Sequence, residues 1–256
     1  MSQVSISGLA SIYLQHALPE AGCPVCRCCI TSETRYIKNL LWENVNDVGT
    51  RLRIAASLGF CNRHAEQMHR MERDEMGMML GNSIIYESLI QQVLEKVRAT
   101  HREVTEQATQ SNQIRGLLSR FGIGSRRKSR SRPRLLIPTG ACRVCEMGRD
   151  TGRYYSTVLA EMLALERYQR MYEQSDGVCL PHLRVMLQHA TSERGLDYIL
   201  TQTEQRLTDL REHLYGLSRS YRVDHHDVPV SGNETSSVGR AVGFFTSAVN
   251  VSGALK

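Results

Sequence analysis

A pair of cysteine motifs occurs twice in this chain, and no other feature limits the possible folds as strongly. Cys23-Pro24-Val25-Cys26 is followed, after 34 intervening residues, by Cys61-Asn62-Arg63-His64. Cys142-Arg143-Val144-Cys145 is followed, after 33, by Cys179-Leu180-Pro181-His182. The second copy lies 119 residues beyond the first at the CxxC and 118 at the CxxH, and Val25, Tyr36 and Leu40 match Val144, Tyr155 and Leu159 at the longer offset. A fixed internal period of this size marks duplication of a structural unit.

The spacing has a chemical reason. Two thiols separated by two residues chelate one ion from a tight turn and leave two tetrahedral positions open. A Cys-x-x-His pair on one turn of helix presents both side chains on the same face. Three cysteines and a histidine form a standard structural zinc set, whereas iron–sulfur clusters usually take four cysteines, so zinc is expected first and a cluster second. The expected ligands are Cys23, Cys26, Cys61 and His64 in the first module and Cys142, Cys145, Cys179 and His182 in the second, two zinc ions per chain. Gly59 and Gly177 precede the CxxH motifs, where a left-handed residue would close the preceding helix. Pro181 falls within the first turn of the next helix, and Cys61 and Cys179 are expected at helix N-termini, where the dipole favours a thiolate.

Leu-, Glu-, Arg-, Gln- and Met-rich stretches with apolar residues at helical spacing predict an all-α protein of two repeated modules, each joining a CxxC turn to a helix N-terminus through its own Cys3His site. The expected division is 1–118 for the first module, 119–140 for a basic disordered linker, 141–222 for the second module and 223–256 for a flexible tail. Asn46-Asp47 is placed at a helix start, and Gly81-Asn82-Ser83 at the start of a long helix carrying Ile85, Leu89, Val93 and Val97.

The pattern resembles an uncharacterised bacterial family, a domain of unknown function with paired Cys-Pro-x-Cys and Gly-Phe-Cys-x-x-His modules. Cys23-Pro24-Val25-Cys26, the stretch Leu41 to Asp47, and Gly59-Phe60-Cys61 with His64-Ala65 carry the likeness. The second module departs from it, with Arg143 in place of proline and Val178 in place of phenylalanine, while all four ligands remain. The resemblance implies a helical metal-binding protein and no particular activity.

Charge locates a further feature. The net charge is +6, yet Arg120 to Arg134 holds seven basic residues and no acidic one, so the remainder is close to neutral. Arg126, Arg127, Lys128, Arg130, Arg132 and Arg134 could contact a polyanion, either nucleic acid or an acidic protein. No 18-residue apolar run predicts a membrane span, and no Lys or Arg precedes position 22 as a secretory signal would require, so a cytoplasmic location is expected. Cys28 and Cys29 follow the first CxxC without counterparts in the second copy and are candidate redox thiols, with unreactive cysteines as the alternative. Glu66 and His69 form an ExxH pair better read as a solvated helix face than as part of a di-iron site. Four protein ligands per set leave no open position for water, and no nucleophile elbow, phosphate loop or HExxH is present, so no enzymatic activity is expected. The chain reads as a zinc-binding scaffold or regulator. The alternatives are a thiol-based redox or metal sensor, a nucleic-acid-associated regulator, and an iron–sulfur protein.

Overall fold

A computed structural model describes residues 8–120, 136–221 and 229–246. Among them the chain forms ten α-helices, two π-helical turns and no strand, so the fold is all-α. α1 spans Leu9–Ala17, α2 Pro24–Asn39, α3 Val48–Ala56, α4 Asn62–Arg70 and α5 Leu80–Arg120, with π turns at Leu40–Asn44 and Met71–Glu75. α6 spans Arg143–Leu163, α7 Glu166–Glu173, α8 Leu180–His189, α9 Glu193–Ser220 and α10 Gly232–Thr246. The basic residues Arg126, Arg127, Lys128, Arg130, Arg132 and Arg134 lie outside the described residues. No helix among the described residues is long and apolar enough to cross a membrane.

Local chemistry sets several of the helix starts. The Asp47 carboxylate accepts from the Thr50 N–H at 2.7 Å and opens α3. Ser192 Oγ accepts from the Gly195 N–H at 3.1 Å and opens α9. α5 is capped from outside its own segment. The buried Glu72 carboxylate, in the second π turn, accepts from the Gly81 N–H at 2.5 Å, from the Asn82 N–H at 2.8 Å and from the Asn82 side-chain amide. α3 ends with the Gly59 N–H bonded to Ile54 O at 2.9 Å and the Leu58 N–H to Ala55 O at 3.1 Å. Leu58, at φ 53, is therefore the left-handed residue that closes the helix, and Gly59, at φ 104, continues the turn.

The chain divides into two compact units, Met1–Arg35 with Met147–Lys256, and Tyr36–Glu146. The first unit thus joins segments from both ends of the sequence, and the second runs continuously from 36 to 146. In the first unit a single apolar core takes Ala10, Leu14, Leu18 and Val25 from one end of the chain and Leu159, Met162, Leu163, Tyr172, Met186 and Ile199 from the other. Within it, α2 and α6 meet through residues that the 119-residue offset makes equivalent: Cys29 with Gly148 and Glu33 with Gly152. The Cys29 thiol reaches Gly148 O at 3.7 Å, and a Cβ on Gly148 would stand 2.6 Å from Glu33 Oε1. Glycine at these positions lets the two copies of the repeat approach backbone to side chain. In the second unit Leu40, Leu41, Val45, Ile54, Met68, Met71, Ile85 and Leu89 are buried. Among the described side chains of α5, Ile85 and Leu89 near its start are buried, whereas Val97 and Val104 are 44% and 50% exposed.

Composition predicts a flexible tail from residue 223, yet α10 occupies Gly232–Thr246 and packs on α9 and α8. Ser231 and Glu234 form a reciprocal capping box: the Ser231 N–H donates to the Glu234 carboxylate at 2.7 Å, and the Glu234 N–H donates to Ser231 Oγ at 3.2 Å. Arg240 then donates to Asn233 O at 2.8 Å and lies 3.2 Å from His213 Nδ1 on α9.

Candidate metal centres

All eight sequence-predicted ligands fall into two clusters of three cysteines and one histidine that could each hold a metal ion, with donor atoms all within 4.8 Å of one another. The pairing is the reverse of the local one. Cys23 and Cys26 meet Cys179 and His182 in the first unit, and Cys61 and His64 meet Cys142 and Cys145 in the second. Each CxxC is thus completed by the CxxH of the other repeat.

Helix lengths follow the same plan in both copies. α2 runs 16 residues from the first CxxC, about 24 Å at 1.5 Å per residue, and α3, ahead of the first CxxH, runs 9, about 13 Å. α6 runs 21 residues, about 31 Å, and α7, ahead of the second CxxH, runs 8, about 12 Å.

All four motifs have the same local construction. Cys61 and Cys179 are the N-cap residues of α4 and α8, and the carbonyls of Cys23 and Cys142 accept the first backbone bonds of α2 and α6 at 3.2 and 3.1 Å. The CxxC is thus a helix start, where the sequence suggests a free-standing turn. The i+3 ligands, Cys26, His64, Cys145 and His182, lie in the first turn of each helix. Pro181 occupies the first turn of α8, where its missing N–H breaks no helical bond. Two helix N-termini converge on each centre, and their dipoles, each equivalent to roughly half a positive charge, offset the net −1 of three thiolates and one divalent ion.

The donor spacings test the fit to a metal. A tetrahedral zinc with Zn–S of about 2.3 Å and Zn–N of about 2.05 Å separates sulfurs by about 3.8 Å and sulfur from nitrogen by about 3.6 Å. In the first centre Cys26 Sγ stands 3.6 Å from Cys179 Sγ, and His182 Nδ1 stands 3.6, 3.3 and 3.2 Å from the sulfurs of Cys23, Cys26 and Cys179. In the second, Cys61 Sγ stands 3.5 Å from Cys145 Sγ, and His64 Nδ1 stands 3.2, 3.5 and 3.3 Å from the sulfurs of Cys61, Cys142 and Cys145. Both sets fit a four-coordinate ion within a few tenths of an ångström, and both histidines present Nδ1.

Proton affinities of the cluster side chains follow from this crowding. Burial opposes ionisation of Cys23, but hydrogen bonds from Cys179, Cys26 and His182 overcome it and hold the thiol well below its ordinary range. Cys26 is pushed far up by its contacts with Cys179 and Cys23 and by burial. Burial alone would lower His182, yet the sulfurs of Cys179, Cys23 and Cys29 raise it to about 12. In the second centre the backbone hydrogen bonds around Cys142 outweigh its burial and bring it to about 7, whereas burial and the Cys61 contact lift Cys145 to about 12.

The surroundings of the two centres differ. Gly22, at φ 88, donates its N–H to the Asp176 carboxylate at 2.6 Å, tying together the turns that lead into Cys23 and Cys179. Behind them the buried Tyr172 hydroxyl accepts from the Val178 N–H at 3.2 Å, and Arg206 lies over the Tyr172 ring at 4.8 Å. The sequence reading missed Asp176 and Tyr172, and no pattern in the chain marks them. At the second centre Thr139 and Gly140 donate to Ala56 O at 2.8 and 3.0 Å, fixing the approach to Cys142. Cys28 and Cys29 are both buried, and burial raises Cys28 to about 12, the opposite of a reactive thiolate. Glu66 pairs with Arg70 at 2.7 Å and His69 is exposed, as a solvated face requires.

No curated protein and no solved structure matches the chain. A family model does match it over residues 8–251, a span that includes all eight candidate ligands. The chain belongs to the Family of unknown function (DUF6062).

Proposed function

We propose that this chain is a zinc protein with two structural Cys3His centres and a non-catalytic role as a scaffold or regulator. One observation carries the reading: each cluster supplies four protein donors at tetrahedral spacing, with none left for water or substrate. A closed site of this kind contributes folding free energy, on the order of 10 kcal/mol for structural zinc. The two helix N-termini at each centre suit a set of thiolates.

Elemental analysis of the purified chain tests this. We expect close to two zinc ions per chain, with helical circular dichroism lost when a strong chelator removes them. Iron with visible charge-transfer absorbance would replace zinc by a cluster, and a chain that stays fully folded without metal would remove the structural role.

A further inference from the structure

The two centres are not equally protected. Cys23, Cys26 and Cys179 are 4%, 3% and 2% exposed, whereas Cys61, Cys142 and Cys145 are all half-buried. The histidines show the opposite order, with His64 fully buried and His182 half-buried. Three of the four donors in each centre are sulfurs, and a sulfur-seeking or metal-seeking reagent enters through them. The first centre is also closed by the Asp176–Gly22 bond and the Tyr172–Val178 bond. At the equivalent offsets the second unit has Leu58 in place of Asp176 and Ala141 in place of Gly22, and the Leu58 side chain cannot accept a hydrogen bond.

We propose that the centre formed by Cys61, His64, Cys142 and Cys145 is an exchangeable metal site, from which a thiol- or nitrogen-bearing acceptor can draw the ion, while the other centre keeps its ion. The inference rests on the zinc reading above. Exchange proceeds by stepwise substitution: a sulfur of this less buried set leaves the ion and takes a proton, the acceptor's donor atom takes its place, and no electrons move. His64, buried and within 3.5 Å of all three sulfurs, is the last donor to let go. Loss of the ion releases the start of α6 from the start of α4 and leaves the Thr139 and Gly140 bonds to Ala56 O holding that approach. Occupancy of this centre therefore sets how firmly the residues just before Cys142 are held.

The test uses the intact zinc-loaded chain and a chromophoric zinc chelator. We expect two phases of equal amplitude, with the second at least about tenfold slower, because its sulfurs are out of reach of solvent. N-ethylmaleimide added during the fast phase should label Cys61, Cys142 and Cys145 and spare Cys23, Cys26 and Cys179, as read by peptide mass mapping of the unmutated protein. The Cys145→Ser variant should lose the fast phase and keep the slow one. Release in a single phase, or labelling of the first centre's cysteines before the second's, would overturn the proposal while leaving the zinc reading intact. A chain that holds no zinc would remove both.

Discussion

Cys26 and His182 face each other at 3.3 Å, and in the metal-free protein each keeps a proton at neutral pH, because both are raised above their ordinary values. A divalent ion needs the thiolate and the neutral imidazole, so binding at this centre must expel at least these two protons. In the second centre Cys145, raised to about 12, loses one proton on binding, and Cys142, at about 7, adds another only below neutral pH. The sign is set by these directions. Lower pH strengthens the competing protons, so apparent affinity must fall with acidity, by about a factor of ten per pH unit for each proton displaced. Competition titrations with a zinc chelator between pH 6 and 8 should show affinity falling toward acid, by about a hundredfold per pH unit at the centre where Cys26 and His182 each give up a proton. An affinity there that does not change with pH would contradict the proton inventory. The ligands themselves were legible in the sequence because i, i+3 spacing is a local property that a helix start converts directly into shared direction. Asp176 and Tyr172 were not, since each acts on a residue elsewhere in the turn or in the other half of the chain, and no spacing rule marks such a contact.

Among the elements, α5 depends most on one side chain outside itself. The Glu72 carboxylate covers two orphan N–H groups and the Asn82 amide at the helix start, and it is 1% exposed. The Glu72→Ala change would leave those donors buried without an acceptor and remove a negative charge from the positive end of the dipole, at a cost of about 3 kcal/mol. Denaturant midpoints of the metal-loaded protein check this, and a loss under about 1 kcal/mol would mean that water replaces the carboxylate. The helices of both repeats were legible from apolar periodicity, and the α3 cap from Asp47. α10 also had a readable signal that composition concealed: Ser231 and Glu234 stand at S-x-x-E spacing, a capping box ahead of an otherwise small, polar run. The exchange of ligand pairs was harder to see. It shows only in the contacts, where Cys23 and Cys26 meet Cys179 and His182, and Cys61 and His64 meet Cys142 and Cys145. Spacers of 34 and 33 residues look the same whether the chain turns back at its midpoint or not.

At the scale of the whole chain, the exchange means that neither sequence repeat owns a metal site. Residues before 121 supply one ligand pair to each centre and residues after 135 supply the other, and in the first unit the apolar core is shared in the same way. Two self-contained modules on a linker would come apart once the linker was cut. Reciprocal centres would hold the halves together, because each ion bridges them and each bridge contributes on the order of 10 kcal/mol. A specific protease site placed between residues 121 and 135 separates these cases. With zinc bound, the two fragments should co-elute on size exclusion after complete cleavage and keep the helical signal of the uncut chain. Chelation together with mild denaturant should then separate them, whereas the same denaturant alone should not, since the shared core by itself lacks the two bridges. Fragments that part with zinc still bound, each carrying one ion, would show that every CxxC closes on its own CxxH and that the exchanged pairing is wrong.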